Sequence, residues 1–121
     1  MSVELIESKS FHSNVLESMK PTVVLFGNNQ CPLCYELKPT YTKLAEKHKD
    51  KYSFFRVNTV MDSELSDVYL DGGVPTICIF VEGQNHTIPW RDEVGYSENF
   101  LDACLGAFFN ILEEKNDKER I

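Results

Sequence analysis

The chain has 121 residues, 42% of them hydrophobic and 26% charged, and carries a formal net charge of −7. That length holds one domain with a core able to fold without staples, and the balance excludes a disordered chain. The acidic balance also excludes a phosphate-backbone binder, which needs clustered Lys and Arg, so no nucleic-acid partner is expected.

Residues Met1 to Ser10 alternate apolar and charged side chains and lack the basic start and apolar run of an export signal. No stretch approaches the length of a membrane span, so no membrane partner is expected. These features predict a cytoplasmic protein. In that compartment its four cysteines serve chemistry rather than a structural disulfide framework.

Val3 to Ile6 reads as a short first strand. Phe11, Val15 and Met19 then fall at helical spacing, with Ser10 as the cap. Pro21 closes that helix, and Thr22 to Phe26 is a short β-branched run suited to a strand buried on both faces. Gly27 to Gln30 breaks the pattern. A long helix follows from Cys34, its buried stripe marked by Leu37, Tyr41, Leu44, Ala45 and His48. Pro39 lies inside it and predicts a kink.

Tyr52 to Asn58 reads as a strand, and Asp62 or Ser63 caps a short helix running to Leu70. Gly72-Gly73 breaks that helix. Thr76 to Val81 and Gln84 to Trp90 are strand-like runs joined by a tight turn at Glu82-Gly83, and Gly95 ends the second region. Phe100, Leu101, Cys104, Leu105, Phe108, Ile111 and Leu112 define one face of a last helix. Residues 113–121 are a charged tail predicted to fray. The order β-α-β-α-β-α-β-β-α predicts an α/β fold, a central mixed sheet with helices on both faces, as one domain over residues 1–121.

The strongest local signal is Cys31-Pro32-Leu33-Cys34, directly after a buried strand and at the start of a helix. The helix N-terminus offers unpaired N–H groups and the positive end of the dipole, both of which favour a thiolate at Cys31. Cys34 lies one turn further, within reach of a mixed disulfide formed on Cys31. Pro32 fits an early helical position because its missing N–H has no partner there in any case. Zinc is the competing use of this spacing, but it needs four ligands. Cys78 and Cys104 sit in apolar patterns that read as buried small hydrophobes, and His12, His48 and His86 are scattered singly. No metal and no bound cofactor are expected.

Together these features resemble the thioredoxin family. The resemblance runs from the first helix to the last. It rests on Phe26 before the dithiol, Pro39 five residues after Cys34, Gly73-Val74-Pro75-Thr76 before a strand, Gly83 in the hairpin turn and Gly95 before the last helix. It implies a thioredoxin fold and a thiol–disulfide oxidoreductase that reduces protein disulfides through Cys31 and Cys34. It also implies a cis Pro75 beside the dithiol that keeps metals away, and a Val74 backbone that pairs with a substrate strand. Its partners are disulfide-containing proteins and a reductant such as thioredoxin reductase or a low-molecular-weight thiol, with the protein itself a monomer.

Three departures stand out. Thioredoxins place a tryptophan just before the first cysteine and Gly-Pro between the pair, where this chain has Gln30 and Pro32-Leu33. They carry a buried acid six residues before the first cysteine, where this chain has Leu25; slower deprotonation of Cys34 follows. Gly27 replaces a further aromatic and, with Gln30, predicts a less apolar rim. Recognition then falls on Leu33, Tyr35, Val74 and Gly95. Proline after the first cysteine is more like glutaredoxins, so a glutathione-dependent oxidoreductase is the alternative within redox enzymes. A non-catalytic thioredoxin-fold binding module is the alternative outside them.

Overall fold

In the computed structural model, which describes residues 3–70, 73–90 and 95–119, the β-branched run Thr22–Gly27 forms strand β2 at the centre of a mixed sheet. Parallel to it runs β3, Ser53–Asn58, and beyond that lies the two-residue β1, Glu4–Leu5. On the other side β4, Thr76–Val81, pairs antiparallel with β2, and β5, Gln84–Ile88, is the outer strand. Among the described residues the strand order is β1-β3-β2-β4-β5. The hairpin between β4 and β5 turns at Glu82 and Gly83, whose φ angles of 51° and 81° match the twist of the flanking strands.

β2 is buried on both faces because helices cover both. One core gathers Val23, Leu25, Leu37, Tyr41, Tyr52, Leu101 and Leu105 beneath α2, Pro32–Lys47, and α4, Glu98–Glu119. The other gathers Phe11, Val15, Val24, Phe26, Cys78 and Phe80 beneath α1, Ser8–Phe11, and α3, Ser63–Tyr69. The order of elements is the predicted one.

Several local expectations fail for physical reasons. α1 begins at Ser8, with Glu7 as its flanking residue, so Ser10 is inside the helix rather than its cap. The helix then widens to a π-type turn over His12–Leu16, where the Glu17 N–H donates to the His12 carbonyl, and the chain leaves it at Glu17. Met19 therefore falls beyond the helix and is fully exposed instead of continuing its buried stripe. The Asp62 carboxylate accepts the Ser8 N–H, tying α1 to the segment before α3. The break assigned to Gly72 lies outside the described residues.

α4 continues to Glu119, so the helix extends into the charged tail; Glu and Lys favour helix on their own. Its 22 residues span about 33 Å, while a six-residue strand covers about 20 Å, so the helix outruns the sheet. Ile111 consequently emerges 61% exposed, not on the buried face.

α2 and α4 are joined by a polar clasp at the end of α2. The buried His48 Nε2 lies 2.7 Å from Asp102 Oδ1, and Lys47 Nζ lies 2.8 Å from Asp102 Oδ2. Hydrogen bonds from Lys47 and His48 hold the Asp102 carboxyl below the usual carboxylate range. Asp102→Ala is expected to lower the melting temperature by about 3–6 °C at neutral pH. Because the folded value is depressed, this stabilisation is present above the unfolded carboxylate value of about 3.9. It is lost as pH falls through the folded one, so thermal melts of the two proteins should converge in acid.

Candidate active site

The site forms where β2 ends and α2 begins. The Asn28 side-chain oxygen accepts the Gln30 N–H at 2.9 Å, bending the chain out of the sheet toward the helix. Cys31 then caps α2 in an extended conformation (φ −101°, ψ 110°), and its sulfur accepts the Cys34 N–H at 3.1 Å. Pro32 is the first residue of the helix, as its missing N–H favours. The helix thus starts two residues before the predicted Cys34 and brings both cysteines to its first turn.

The loop before β4 closes on the same point. Thr76 Oγ1 donates to the Gly73 carbonyl at 2.9 Å, and the Val74–Pro75 peptide bond is cis. The Cys31 thiol points at the Val74 carbonyl, 3.8 Å away. Cys31 is partly exposed, whereas Cys34 is 4% exposed. Burial, with the Cys31 sulfur beside it, pushes the Cys34 thiol up to about 11, although the Asn28 backbone opposes the shift. One sulfur is presented to solvent beside two backbone groups; the other waits behind it as a thiol.

Leu33 is 47% exposed and Tyr35 56% exposed on the outer side of the first helical turn. Val74 and Gly95 are partly buried, and Pro75 is buried. Phe26 and Pro39 are not brought to the sulfurs by any described contact. Phe26 is fully buried in the aromatic cluster of Phe11 and Tyr69 on the opposite sheet face, and Pro39 is exposed within α2. Among the described residues no group of three or more His, Cys, Asp or Glu gathers as a metal site requires.

The thioredoxin family profile matches residues 2–98, which is most of the chain. The chain belongs to the thioredoxin family. It is 31% identical over 84 residues to a thioredoxin of Griffithsia pacifica, covering 69% of this chain and 77% of that one. It is 30% identical to the chloroplastic M-type thioredoxin of Brassica napus over 68% of this chain and 46% of that one. Its 33% identity to protein disulfide-isomerase of Drosophila melanogaster covers 95% of this chain and 21% of that protein. The fold and these relatives make the chain a protein-disulfide oxidoreductase. No helix among the described residues is long and apolar enough to cross a membrane.

Two features of this candidate site are not evident from the sequence. The first is a cavity of about 290 Å³ behind Cys34, lined in part by Gly27, Asn28, Lys38, Arg56 and Asn58. Gly27 opens it: a Cβ there would stand 3.1 Å from the Cys34 sulfur. Register could have found part of this arrangement, since Leu25 pairs with Arg56 and Gly27 with Asn58 across β2 and β3, placing each pair on one face. The second is Trp90, which corrects the expectation of a rim poor in apolar groups. It lies beyond β5, which ends at Ile88 rather than Trp90, and lines a groove with Leu33, Val74 and Pro75.

Proposed function

We propose that the protein reduces protein disulfides in a dithiol–disulfide cycle, with Cys31 as the attacking and Cys34 as the resolving thiol. The observation that carries this reading is the Cys34 amide directed at the Cys31 sulfur at the head of α2, beside the Val74 carbonyl. A negative sulfur there meets a backbone donor and the positive end of the helix. Cys31 attacks one sulfur of the substrate disulfide, forming a mixed disulfide and releasing the other substrate sulfur as a thiolate. Cys34 then loses its proton to solvent and attacks the Cys31 sulfur, forming the Cys31–Cys34 bond and freeing the second substrate thiol. A reductant returns two electrons. No bound cofactor takes part.

Val74 supplies backbone for a substrate strand and Pro75 the wall behind it, while Leu33 and Gly95 border the approach. Pro32 starts α2, and Phe26 and Pro39 act at a distance, through the core beneath β2 and the course of α2. With Leu25 where other thioredoxins have an acid, proton removal from Cys34 falls to solvent in the adjoining cavity. Substrates are disulfide-bearing proteins, met by a monomer in a reducing compartment, here the cytoplasm.

Besides Pro32, the basic side chains of Lys38 and Arg56 favour the glutathione-dependent reading. Yet their cavity includes Cys34 and not Cys31, Leu33 or Val74. A glutathionyl group on Cys31 would lie in the groove beside Val74, away from those cations. Dithiothreitol-driven reduction of insulin tests the proposal, followed by replacement of dithiothreitol with either NADPH and thioredoxin reductase or glutathione and its reductase. Strong acceleration sustained by the thioredoxin reductase couple is the expected result. Turnover with glutathione alone would favour the glutaredoxin-like reading, and no turnover by folded protein would favour a binding module.

A further inference from the structure

Trp90 is the only tryptophan in the chain and stands 43% exposed. Its ring meets Tyr96 edge-on at 5.0 Å between centroids. Tyr96 is buried and fixed at both ends of its hydroxyl, which donates to the Ile88 carbonyl at 2.6 Å and accepts the Ile77 N–H at 3.2 Å. On another side the indole lies against Gly95, where a Cβ would come within 2.8 Å of the ring. Gly95 has a φ of 56°, so both its backbone and its missing side chain suit the close approach. The indole is therefore held by a rigid support while much of it remains open to solvent.

Two concavities of about 360 and 410 Å³ share Trp90, Leu33 and Tyr96. One continues to Val74 and Pro75, the segment that faces Cys31; the other continues past Gly95 to Ser97. A polypeptide engaged at Cys31 and running along Val74 meets the indole next. Apolar lining from Leu33, Pro75, Pro89 and Trp90 suits an uncharged, flat or bulky side chain rather than an ion.

We propose that Trp90 is a specificity-determining residue, an aromatic platform that seats a phenylalanine-like side chain flanking the reactive cysteine of a polypeptide substrate. This rests on the assignment of Cys31 as the attacking thiol. Rigid aromatic side chains supply large contact area at small entropic cost, which is why they concentrate recognition. In this chain the platform comes from beyond β5 rather than from the Gln30 position, where thioredoxins usually carry their tryptophan.

The test compares two peptides of equal length and one disulfide each, alike except that one carries phenylalanine on both sides of each cysteine and the other alanine. Wild type is expected to favour the phenylalanine peptide through KM. Trp90→Ala should lower that preference about three- to tenfold with kcat for the phenylalanine peptide retained, and Trp90→Phe should restore most of it. Independently of any change at this position, the emission of the single tryptophan in Cys34→Ser protein should shift more on loading the phenylalanine peptide than the alanine one. Equal preference in wild type and Trp90→Ala, or equal emission with both peptides, overturns the assignment while leaving the Cys31 cycle intact. Failure of wild type to reduce either peptide overturns both.

Discussion

Cys31→Ser is expected to bring dithiothreitol-driven insulin reduction down to the rate of dithiothreitol alone, a loss of two orders of magnitude or more. A serine hydroxyl in this place is neither ionised nor a sulfur nucleophile, so the mixed disulfide cannot form. The substitution should leave the fold intact. Cys31 serves α2 as its N-terminal cap, accepting the Cys34 N–H, and serine is among the best residues for that task. An unchanged melting temperature together with lost turnover separates chemistry from folding. Binding of a partner that survives the substitution without turnover in wild type would instead support a binding module.

Cys34→Ser is expected to halt the cycle one step later. Cys31 still attacks, but nothing displaces it, so a one-to-one disulfide adduct with substrate accumulates and multiple turnover falls about a hundredfold. The adduct should resist denaturant and dissolve in excess dithiothreitol, which gel mobility or intact mass will record. The wild-type release step should carry a matching pH dependence. Cys34 is held up to about 11, with burial the largest cause and the neighbouring Cys31 sulfur adding to it. In the mixed disulfide the Cys34 thiol keeps the burial that is the largest cause of its raised value. Only the thiolate attacks. Release measured in a single turnover should therefore rise nearly tenfold per pH unit from about pH 6 to 8. A pH-independent release would mean that a base within the protein takes the proton.

Much of this was written in local sequence. The apolar β-branched run Thr22–Phe26, the dithiol that follows it and the Glu82-Gly83 turn each specify their conformation within a few residues. So does the cap-and-proline start of α2, once Cys31 is recognised as the cap. The failures have a common physical origin in tertiary context. Met19 and Ile111 fit helical periodicity, but where a helix ends or outruns its sheet depends on what it packs against. Asp62 sits directly before α3, where Asp62 or Ser63 is expected to cap, but local sequence gives no sign that its carboxylate also accepts the N–H of Ser8, 54 residues away.

The candidate site divides along the same line. Cys31, Pro32 and Cys34 are adjacent in sequence and were legible there, and Val74 and Pro75 were legible through family resemblance. Lys38 and Arg56 reach the Cys34 cavity from different elements, so only the pairing of β2 with β3 hints at their meeting. Trp90 looked like the end of a strand. Its place beside Leu33 depends on the turn after β5 and on Gly95 having no side chain.

The most direct measurement is competitive alkylation of the reduced protein at pH 7 with limiting iodoacetamide, followed by mapping of the labelled cysteine. Cys34 is buried and raised to about 11, and Cys78 is fully buried and raised to about 11 by that burial. Cys104 is half-buried on α4. At one equivalent of reagent the label is expected on Cys31. Label appearing first on Cys34, Cys78 or Cys104, or spread evenly among the four, would contradict Cys31 as the attacking thiol.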